Sequence, residues 1–187
     1  MHIYHRSQSV VFCKTTDEFG VLSNMAGGFP LRFNGHDYKS SEHLYQSLRF
    51  VGYPDIQVKI RSISSPMGAK MATRPFRATH TRADWDDVFL EVMRFCLRLK
   101  LHHYRTTFGR LLVKSGERPI VEESRRNRDD LWSARARKGD SEVLVGQNTL
   151  GIMLMELREE ISGAPGGQFP CPSAPIWLTQ VRDARAA

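Results

Sequence analysis

The pattern of apolar and polar positions predicts a helix directly after residue 40. In the stretch SSEHLYQSLRFV, Leu44, Leu48 and Val51 recur at helical spacing and form an apolar stripe. Ser40 or Ser41 suits the N-cap, because a serine hydroxyl can accept a hydrogen bond from a free backbone N–H of the first turn. Both serines remain candidates for that position.

A second set of positions, Glu42, Gln46 and Arg49, lies on a different face of the same helix. An acid in the first turn faces the positive end of the helix dipole, so a structural role accounts for Glu42. A face that carries an acid, an amide and a cation is usually solvated, and is occasionally a functional site. This segment alone leaves both interpretations open.

Short strands are predicted before this helix. The stretch SVVFCK is apolar and β-branched, which is typical of a strand. The stretch GFPLRFNGHDY alternates apolar and polar residues around Asn34 and Gly35, and an Asn-Gly pair in this setting indicates a hairpin. The N-terminal third is therefore expected to form most of a small sheet.

Further helices are predicted downstream. SSPMGAKMATR begins one with Pro66 at its first helical position, and Trp85 opens the strongest, DWDDVFLEVMRFCLRLKLHHY. TTFGRLLVKSG is a shorter helix closed near Gly116, and TLGIMLMELREEI is amphipathic. The core face of the helix from Trp85 is assigned to Val88, Val92, Phe95 or Cys96, and Leu99.

The stretch from Ile120 to Gly151 is polar, charged and rich in turn formers, and is predicted to be a long functional or mobile loop. Asn148 and Gly151 are assigned to the shaping of a turn. Residues 162–187 are rich in Gly, Pro, Ala and Ser and form a tail, of which IWLTQVRDAR is expected to dock back. The predicted fold class is α+β, with one helix-dominated domain over residues 1–161 and a small N-terminal β-sheet.

Composition places the chain among globular proteins. Its 187 residues suit one domain with a core, and no apolar run approaches the length of a membrane span. The N-terminus lacks the apolar stretch of a signal peptide. Cys13, Cys96 and Cys171 are odd in number and far apart, which indicates reduced thiols in a cytoplasm. A monomer is favoured.

The charge narrows the class of partner. Lys and Arg number 27 against 20 Asp and Glu, which gives a net charge of +7. A basic balance attracts nucleic acid, nucleotides or an acidic membrane surface, and arginine suits forked recognition of phosphate. The charge therefore favours a phosphate-bearing partner without choosing between a nucleotide and DNA. The alternative is a basic protein with no such partner.

The sequence lacks the motifs of several common enzyme classes and of zinc sites. The sequence contains no G-x-S-x-G, Walker A, G-x-G-x-x-G or H-E-x-x-H motif, and no cysteine pair with zinc spacing. We therefore expect an enzyme, if this is one, to work without a metal or a redox cofactor. Its tools would be carboxylates, arginines and tryptophans.

A series of landmarks together resembles one family. They are Ser23-Asn24, SSEHLYQSLRF at 40–50, IRSISSPMGAK at 60–70, Trp85, DDLW at 129–132, and GQNTLGIMLMELRE at 146–159. In this order they resemble the NADAR family, also called YbiA-like, over about Val10 to Ile161. The tail lies outside the resemblance.

The resemblance implies the hydrolysis of an N-glycosidic bond, for which two substrate classes are associated with the family. One is ADP-ribose linked to the amino group of guanine in DNA, which some members remove as antitoxins to a DNA ADP-ribosyltransferase of the DarT type. The other is a pair of phosphoribosyl intermediates of riboflavin synthesis. The first would make ADP-ribosylated DNA, ADP-ribose and a DarT-type toxin the partners of this chain.

The resemblance also implies a set of site residues. Glu42 is carried over as the central carboxylate, and Asp129 as a second acid, with the adjacent Asp130 as an alternative if the alignment slips by one. Trp85 and Trp132 stack on a base or wall the site, unless they are core residues. Arg49, Arg61 and Lys70 are candidates for a pyrophosphate, with a solvated surface as the alternative. Asn24 and Gln46 are candidates for hydrogen bonds to the ribose or the base.

The chain departs from the family at Arg49, where lysine is usual. An arginine stays protonated and cannot form a Schiff base as lysine can, which puts a covalent lysine mechanism through this position in doubt. Lys39, three residues before Glu42, is a candidate to compensate. The stretch from Arg125 to Lys138 is unusually basic, which favours a DNA backbone over a small metabolite.

The resulting hypothesis is a glycohydrolase that releases ADP-ribose from modified guanine on DNA, as the reversing partner of a toxin. The enzymatic rival is hydrolysis of the riboflavin-pathway intermediates. The non-enzymatic rival is a module that binds NAD or ADP-ribose, or neutralises a toxin by direct contact.

Overall fold

Groups of short strands and groups of helices follow one another along the chain, and a computed structural model describes them over residues 1–125, 131–163 and 169–180. The strands are β1 (His2–His5), β2 (Val10–Phe12), β3 (Leu31–Phe33), β4 (His36–Tyr38), β5 (Ile120–Glu122), β6 (Ala134–Arg137) and β7 (Asp140–Gly146). The helices are α1 (Ser41–Arg49), α2 (Pro54–Ser62), α3 (Pro66–Ala72), α4 (Arg77–His80), α5 (Trp85–His103), α6 (Arg110–Lys114) and α7 (Thr149–Ser162). This mixture confirms the predicted α+β class.

The elements fall into two units. The strand unit combines residues 1–23 with residues 104–169, and the helical unit combines residues 24–103 with the chain from 170 onward. Each unit therefore contains segments that are far apart in the sequence.

The strand unit contains two small sheets. β1, β7 and β6 form an antiparallel sheet in that order, and β2 pairs in parallel with β5. Val10 is aligned with Ile120 in the parallel pair, which confirms the predicted strand in SVVFCK. Val121, Ala134 and Leu144 form a buried apolar cluster of this unit.

The prediction of a long loop between Ile120 and Gly151 is wrong over most of its described part. Three strands, β5, β6 and β7, lie in this stretch. β7 pairs on one side with β1, where His2 is aligned with Gly146, and on the other side with β6. Because β1 and β2 lie near the N-terminus, the local pattern carries no sign of their pairing with β7 and β5, whereas β6 and β7 pair across the short turn at Lys138 and Gly139. The strands are thus not confined to the N-terminal third, and β1 was not predicted.

Asn148 fixes the start of α7 against β5. It adopts the left-handed conformation with φ of 51° and is completely buried. Its Nδ2 donates to the carbonyl of Ile120 at 2.8 Å, and its Oδ1 accepts from the backbone N–H of Glu122 at 3.1 Å. Gly151 faces the same Ile120 carbonyl so closely that a Cβ would collide with it. The assignment of both residues to a structural role is confirmed.

In the helical unit, α1 contacts α2, α3 and α5. Ser40 is the N-cap residue, because its hydroxyl accepts from the backbone N–H of His43 at 3.3 Å. All residues from Ser41 to Leu48 are buried. The face that carries Glu42 and Gln46 is therefore not solvated, although its polarity alone favours that interpretation.

The hairpin follows its prediction. Asn34 and Gly35 have φ of 48° and 76°, the pair of left-handed conformations that an Asn-Gly hairpin turn requires. Phe33 of β3 contacts Phe95 of α5 edge-on, with ring centroids 5.1 Å apart. This contact holds the hairpin against the helix.

The predicted helices are also found. α5 begins at Trp85, and its buried residues include the whole predicted face, Val88, Val92, Phe95, Cys96 and Leu99. α3 begins at Pro66, with Ser65 as its N-cap. A π-helical turn, Arg105–Gly109, precedes α6, which ends before Gly116 with φ of 60°. α2 and α4 were not predicted.

The C-terminal segment returns to the helical unit, as expected. Ile176–Leu178 form a short helical turn in which Leu178 is completely buried. Residues 164–168 and 181–187 lie outside the described part of the chain. No helix among the described residues is both long and apolar enough to cross a membrane.

Candidate active site around Glu42

Glu42 is a buried carboxylate held by two side-chain amides. Its side chain is in the first turn of α1 and the residue is 2% exposed. Asn24 Nδ2 donates to Oε2 at 2.5 Å, and Gln46 Nε2 donates to Oε1 at 2.8 Å. The backbone N–H of Glu42 also donates to the carbonyl of Asn24 at 3.1 Å. Each carboxylate oxygen therefore has a fixed donor, which sets the orientation of the group.

The electrostatics of Glu42 combine two opposed effects. Burial is the larger one and raises the pKa of the Glu42 carboxyl above its ordinary value. The positive charges of Lys70, Arg77 and Arg49, together with the hydrogen bond from Gln46, act in the opposite direction. The result is a carboxylate that is surrounded by cations but does not form an ion pair with any of them among the described contacts.

A hydrogen-bond network behind Gln46 fixes its amide. Thr73 Oγ1 lies 3.2 Å from Gln46 Oε1, and Arg77 donates to the same hydroxyl from Nε at 3.2 Å and from Nη2 at 3.0 Å. The hydroxyl proton is shared between Gln46 Oε1 and the carbonyl of Lys70, which is 2.8 Å away. Because the amide oxygen faces Thr73, the amide N–H₂ faces Glu42.

Neither Thr73 nor Arg77 was identified from the sequence. Thr73 is completely buried directly after α3, and Arg77 opens α4. Their side chains meet α1 only through the tertiary packing of α3 against it. The one available signal is the four-residue spacing between them, which is too common to select a site.

Arg49 and Trp85 form a stacked pair. The guanidinium carbon of Arg49 lies 4.5 Å from the centroid of the Trp85 ring, and Tyr45 contacts the same ring edge-on at 5.1 Å. Trp85 is 5% exposed, which favours its role as a wall over that of a surface for stacking a base. Arg49 Nε is buried and has no hydrogen-bond partner among the described residues. Burial lowers the pKa of Arg49, as expected for a cation kept from water.

The other predicted site residues are placed differently. Arg61 lies with its guanidinium carbon 5.9 Å from the ring centroid of Tyr38, and no contact places it beside Glu42. Trp132 is half-buried in the strand unit, where its carbonyl accepts from the backbone N–H of Leu150 at 3.2 Å. Asp129 and its alternative Asp130 lie outside the described residues. Their roles stay predictions.

Lys39 has a structural role at the end of α2. Its Nζ donates to the carbonyls of Ser62 and Ile63 at 3.0 Å and 2.9 Å. Lysine at a helix C-terminus satisfies carbonyls that have no partner within the helix. The suggestion that Lys39 compensates for the lysine that Arg49 replaces therefore finds no support in its contacts.

The site is suited to the stabilisation of positive charge in a reacting group. A carboxylate of fixed orientation, shielded from water, can stabilise a cationic transition state or move a proton. The cations around it can hold a phosphate or diphosphate on the same ligand. Over the described ranges, no group of three or more His, Cys, Asp or Glu side chains is arranged to bind a metal ion.

Comparisons with known proteins show a family similarity that extends over most of the chain. The family model of the NADAR domain matches residues 11–162. The N-glycosidase YbiA of Escherichia coli is 33% identical over 162 residues, which cover 86% of this chain and 94% of that protein. A riboflavin biosynthesis protein of Vibrio vulnificus is 30% identical over 161 residues, which cover 39% of that protein.

A solved structure is also similar. The NMR structure of E. coli YbiA matches with a TM-score of 0.65 and 31% sequence identity, over 84% of this chain and 90% of that one. The similarity confirms the fold expected from the sequence.

Proposed function

The chain belongs to the NADAR family, and from that premise we propose that it is an N-glycosidase that releases ADP-ribose from ADP-ribosylated guanine in DNA. The observation that carries the proposal is the buried carboxylate of Glu42, fixed by two amides and surrounded by the cations of Lys70, Arg77 and Arg49. A substrate with a ribosyl centre next to a diphosphate needs both parts of this arrangement.

The reaction breaks the bond between the anomeric carbon and the amino nitrogen of guanine. Positive charge develops on the ribosyl group as this bond lengthens, and the carboxylate of Glu42 stabilises that charge. The oxygen of water forms the new bond to the anomeric carbon, and the guanine amino group takes up a proton. Free ADP-ribose and unmodified guanine result. Asp129 is proposed to take the proton from the attacking water.

The cations have a separate role in binding. The guanidinium carbon of Arg49 lies 4.5 Å from the centroid of the Trp85 ring, and its buried Nε has no hydrogen-bond partner among the described residues. Arg77 and Lys70 act on Glu42 from the ends of α4 and α3. We assign these three cations to the diphosphate, which would also offset the repulsion between a negative substrate and the carboxylate.

The choice of DNA rests on charge. The chain carries a net charge of +7, and the stretch from Arg125 to Lys138 is rich in arginine. Such a concentration of positive charge in the sequence favours a nucleic-acid backbone as partner. A glycosidase of this specificity would act as the antitoxin of a DarT-type ADP-ribosyltransferase.

A second substrate class has an observation in its favour. Relatives from Vibrio vulnificus and maize carry the name of riboflavin biosynthesis proteins. The alternative is therefore hydrolysis of the phosphoribosyl intermediates of that synthesis, with the same carboxylate and fewer phosphate contacts.

The test uses an oligonucleotide that carries ADP-ribose on one guanine. Wild-type chain, Glu42→Gln and the control Glu159→Gln, an exposed position on α7, are incubated with it, and free ADP-ribose is measured by mass spectrometry. We expect release by wild type and by the control, and a loss of about a thousandfold or more for Glu42→Gln, the size expected when a main electrostatic stabiliser is removed.

The outcomes separate the alternatives. No release by folded wild type would reject the DNA substrate, and release of the base from the phosphoribosyl intermediates in a parallel incubation would then support the second class. Equal release by wild type and Glu42→Gln would reject the role of the carboxylate. Tight binding of ADP-ribose without turnover of either substrate would leave a binding module.

A further inference from the structure

Arg82 is a buried cation that lies outside the network of Glu42. It stands between α4 and α5, and the residue is 3% exposed. Its Nε and Nη2 donate to the two carboxylate oxygens of Asp84 at 2.5 Å and 2.8 Å. A buried guanidinium needs such acceptors, because an unpaired buried charge strongly destabilises a fold.

The backbone of Arg82 joins the two elements that carry the stacked pair. Its N–H donates to the carbonyl of Arg49, at the end of α1, at 3.0 Å. Its carbonyl accepts from the N–H of Trp85, the first residue of α5, at 3.2 Å. The relative placement of Arg49 and Trp85 therefore depends on the position of Arg82.

The C-terminal segment adds two backbone acceptors to this guanidinium, whose buried Nη1 has no hydrogen-bond partner among the described residues. Nη2 of Arg82 also donates to the carbonyls of Trp177 and Gln180, at 2.6 Å and 2.9 Å. Between these carbonyls, Leu178 is completely buried, whereas Ile176 in the same turn is 72% exposed. The segment lies beyond residues 11–162, the part that the family model matches.

The backbone hydrogen bonds of Arg82 depend on the contacts that hold its side chain in place. Without the two carbonyls, the side-chain acceptors left to Arg82 among the described residues are the carboxylate oxygens of Asp84, which lie along one edge of the guanidinium. A charged donor that loses its acceptors inside a protein moves toward water. Such a movement would pull on the two backbone hydrogen bonds that hold the ends of α1 and α5 together.

We propose that Arg82 is a positioning residue for the Arg49–Trp85 pair, and that the docked turn Ile176–Leu178 holds it in place. A segment outside the common domain would then tune how the site binds the phosphates of its substrate. The kinetic part of this inference rests on the proposed function. The structural part does not, because it concerns the order of the chain around Arg82.

The test compares two full-length variants of one turn, Leu178→Glu and the matched control Ile176→Glu. Hydrogen exchange is measured without substrate in peptides that cover residues 80–88, and KM and kcat are measured on the ADP-ribosylated oligonucleotide. We expect faster exchange in Leu178→Glu alone. We also expect its KM to rise on the order of tenfold, about the value of one charge-assisted hydrogen bond, with kcat within about twofold of wild type.

Two further variants test whether the rise in KM of Leu178→Glu comes only from a folding defect caused by the buried charge. Leu178→Ala weakens the docking without burying a charge, and Arg82→Lys keeps the cation but loses the fork that reaches four acceptor atoms on three residues. Both should raise KM in the same direction as Leu178→Glu.

Equal exchange in Leu178→Glu and Ile176→Glu would overturn the proposal, as would faster exchange with an unchanged KM. A fall in kcat with KM constant would also overturn it, because the stacked pair is assigned to binding. If wild type releases no ADP-ribose, the proposed function fails on its own account. The exchange comparison still decides whether the segment orders the chain around Arg82.

Discussion

The position of Glu42 is compatible with both a structural role and the proposed functional role. It occupies the first turn of α1, where an acid is favoured, and it is also the buried centre of a polar network. The sequence placed Glu42, Gln46 and Asn24 in the candidate site, and the structure brings these three side chains into contact. The sequence could not indicate that α1 is buried on nearly every side, because burial depends on neighbours that are distant in the chain.

Thr73 is the residue on which we expect the orientation of the Gln46 amide to depend. In Thr73→Val the hydroxyl is lost, so Arg77 loses an acceptor and the amide of Gln46 is free to turn its oxygen toward Glu42. An unsatisfied buried group of this kind costs about 1–3 kcal/mol. We expect kcat/KM to fall on the order of tenfold to a hundredfold, measured on the ADP-ribosylated oligonucleotide.

Thr73→Ser is the matched control, because it keeps the hydroxyl and removes one methyl group. It should retain activity within about threefold of wild type, since the loss of a single buried methyl mainly affects packing. If Thr73→Val is as active as Thr73→Ser, the orientation of the Gln46 amide does not depend on this hydroxyl.

At the scale of elements, prediction succeeded where the signal is local. The helices α1, α3, α5 and α7 and the β3–β4 hairpin carry their own periodicity, caps and turn residues. The prediction missed β5 because its partner, β2, is distant in sequence. It missed β6 and β7 although they pair with each other across the short turn at Lys138 and Gly139, because the charged, exposed residues on either side of that turn carry no apolar alternation. Asp129 was carried over from the family's motif, and nothing in the described residues tests it.

The contact between the start of α7 and strand β5 can be tested at Asn148. In Asn148→Ala the backbone keeps a left-handed conformation that alanine disfavours, and two buried backbone groups of β5 lose their partners. We expect a loss of about 2–4 kcal/mol in the free energy of unfolding, measured by urea denaturation.

Asn34→Ala supplies the comparison, because Asn34 is also left-handed but lies in an exposed turn. Its loss should be limited to about 1–2 kcal/mol from the backbone conformation. Equal losses in the two variants would mean that the side-chain bonds of Asn148 contribute nothing measurable to joining α7 and β5.

At the scale of the whole molecule, the net charge of +7 predicts how activity responds to salt. For a DNA substrate, counterion release should make kcat/KM fall steeply with salt, with a logarithmic slope of about −0.7 for each phosphate contacted on a single strand. A phosphoribosyl metabolite should show a much weaker dependence. Measuring both substrates over the same salt series distinguishes the two functions.

Arg137 allows a sharper form of the same measurement. It is exposed on β6, within the basic stretch that favours DNA. If it contacts a phosphate, Arg137→Gln should reduce the magnitude of the slope by about 0.7, the contribution of one contact. An unchanged slope would place the DNA backbone elsewhere on the protein.

The burial of Glu42 also affects which substitutions selection would retain at this position. Because burial raises the pKa of Glu42 above 4.5, the folded state favours its neutral form, so the stability that this group contributes at low pH is lost as the pH rises through the raised value. In its ionised form the group therefore opposes folding relative to its neutral form. Selection for heat resistance alone would weigh this cost against the acceptor that a neutral replacement takes from the amides of Asn24 and Gln46, whereas selection for turnover would retain the acid.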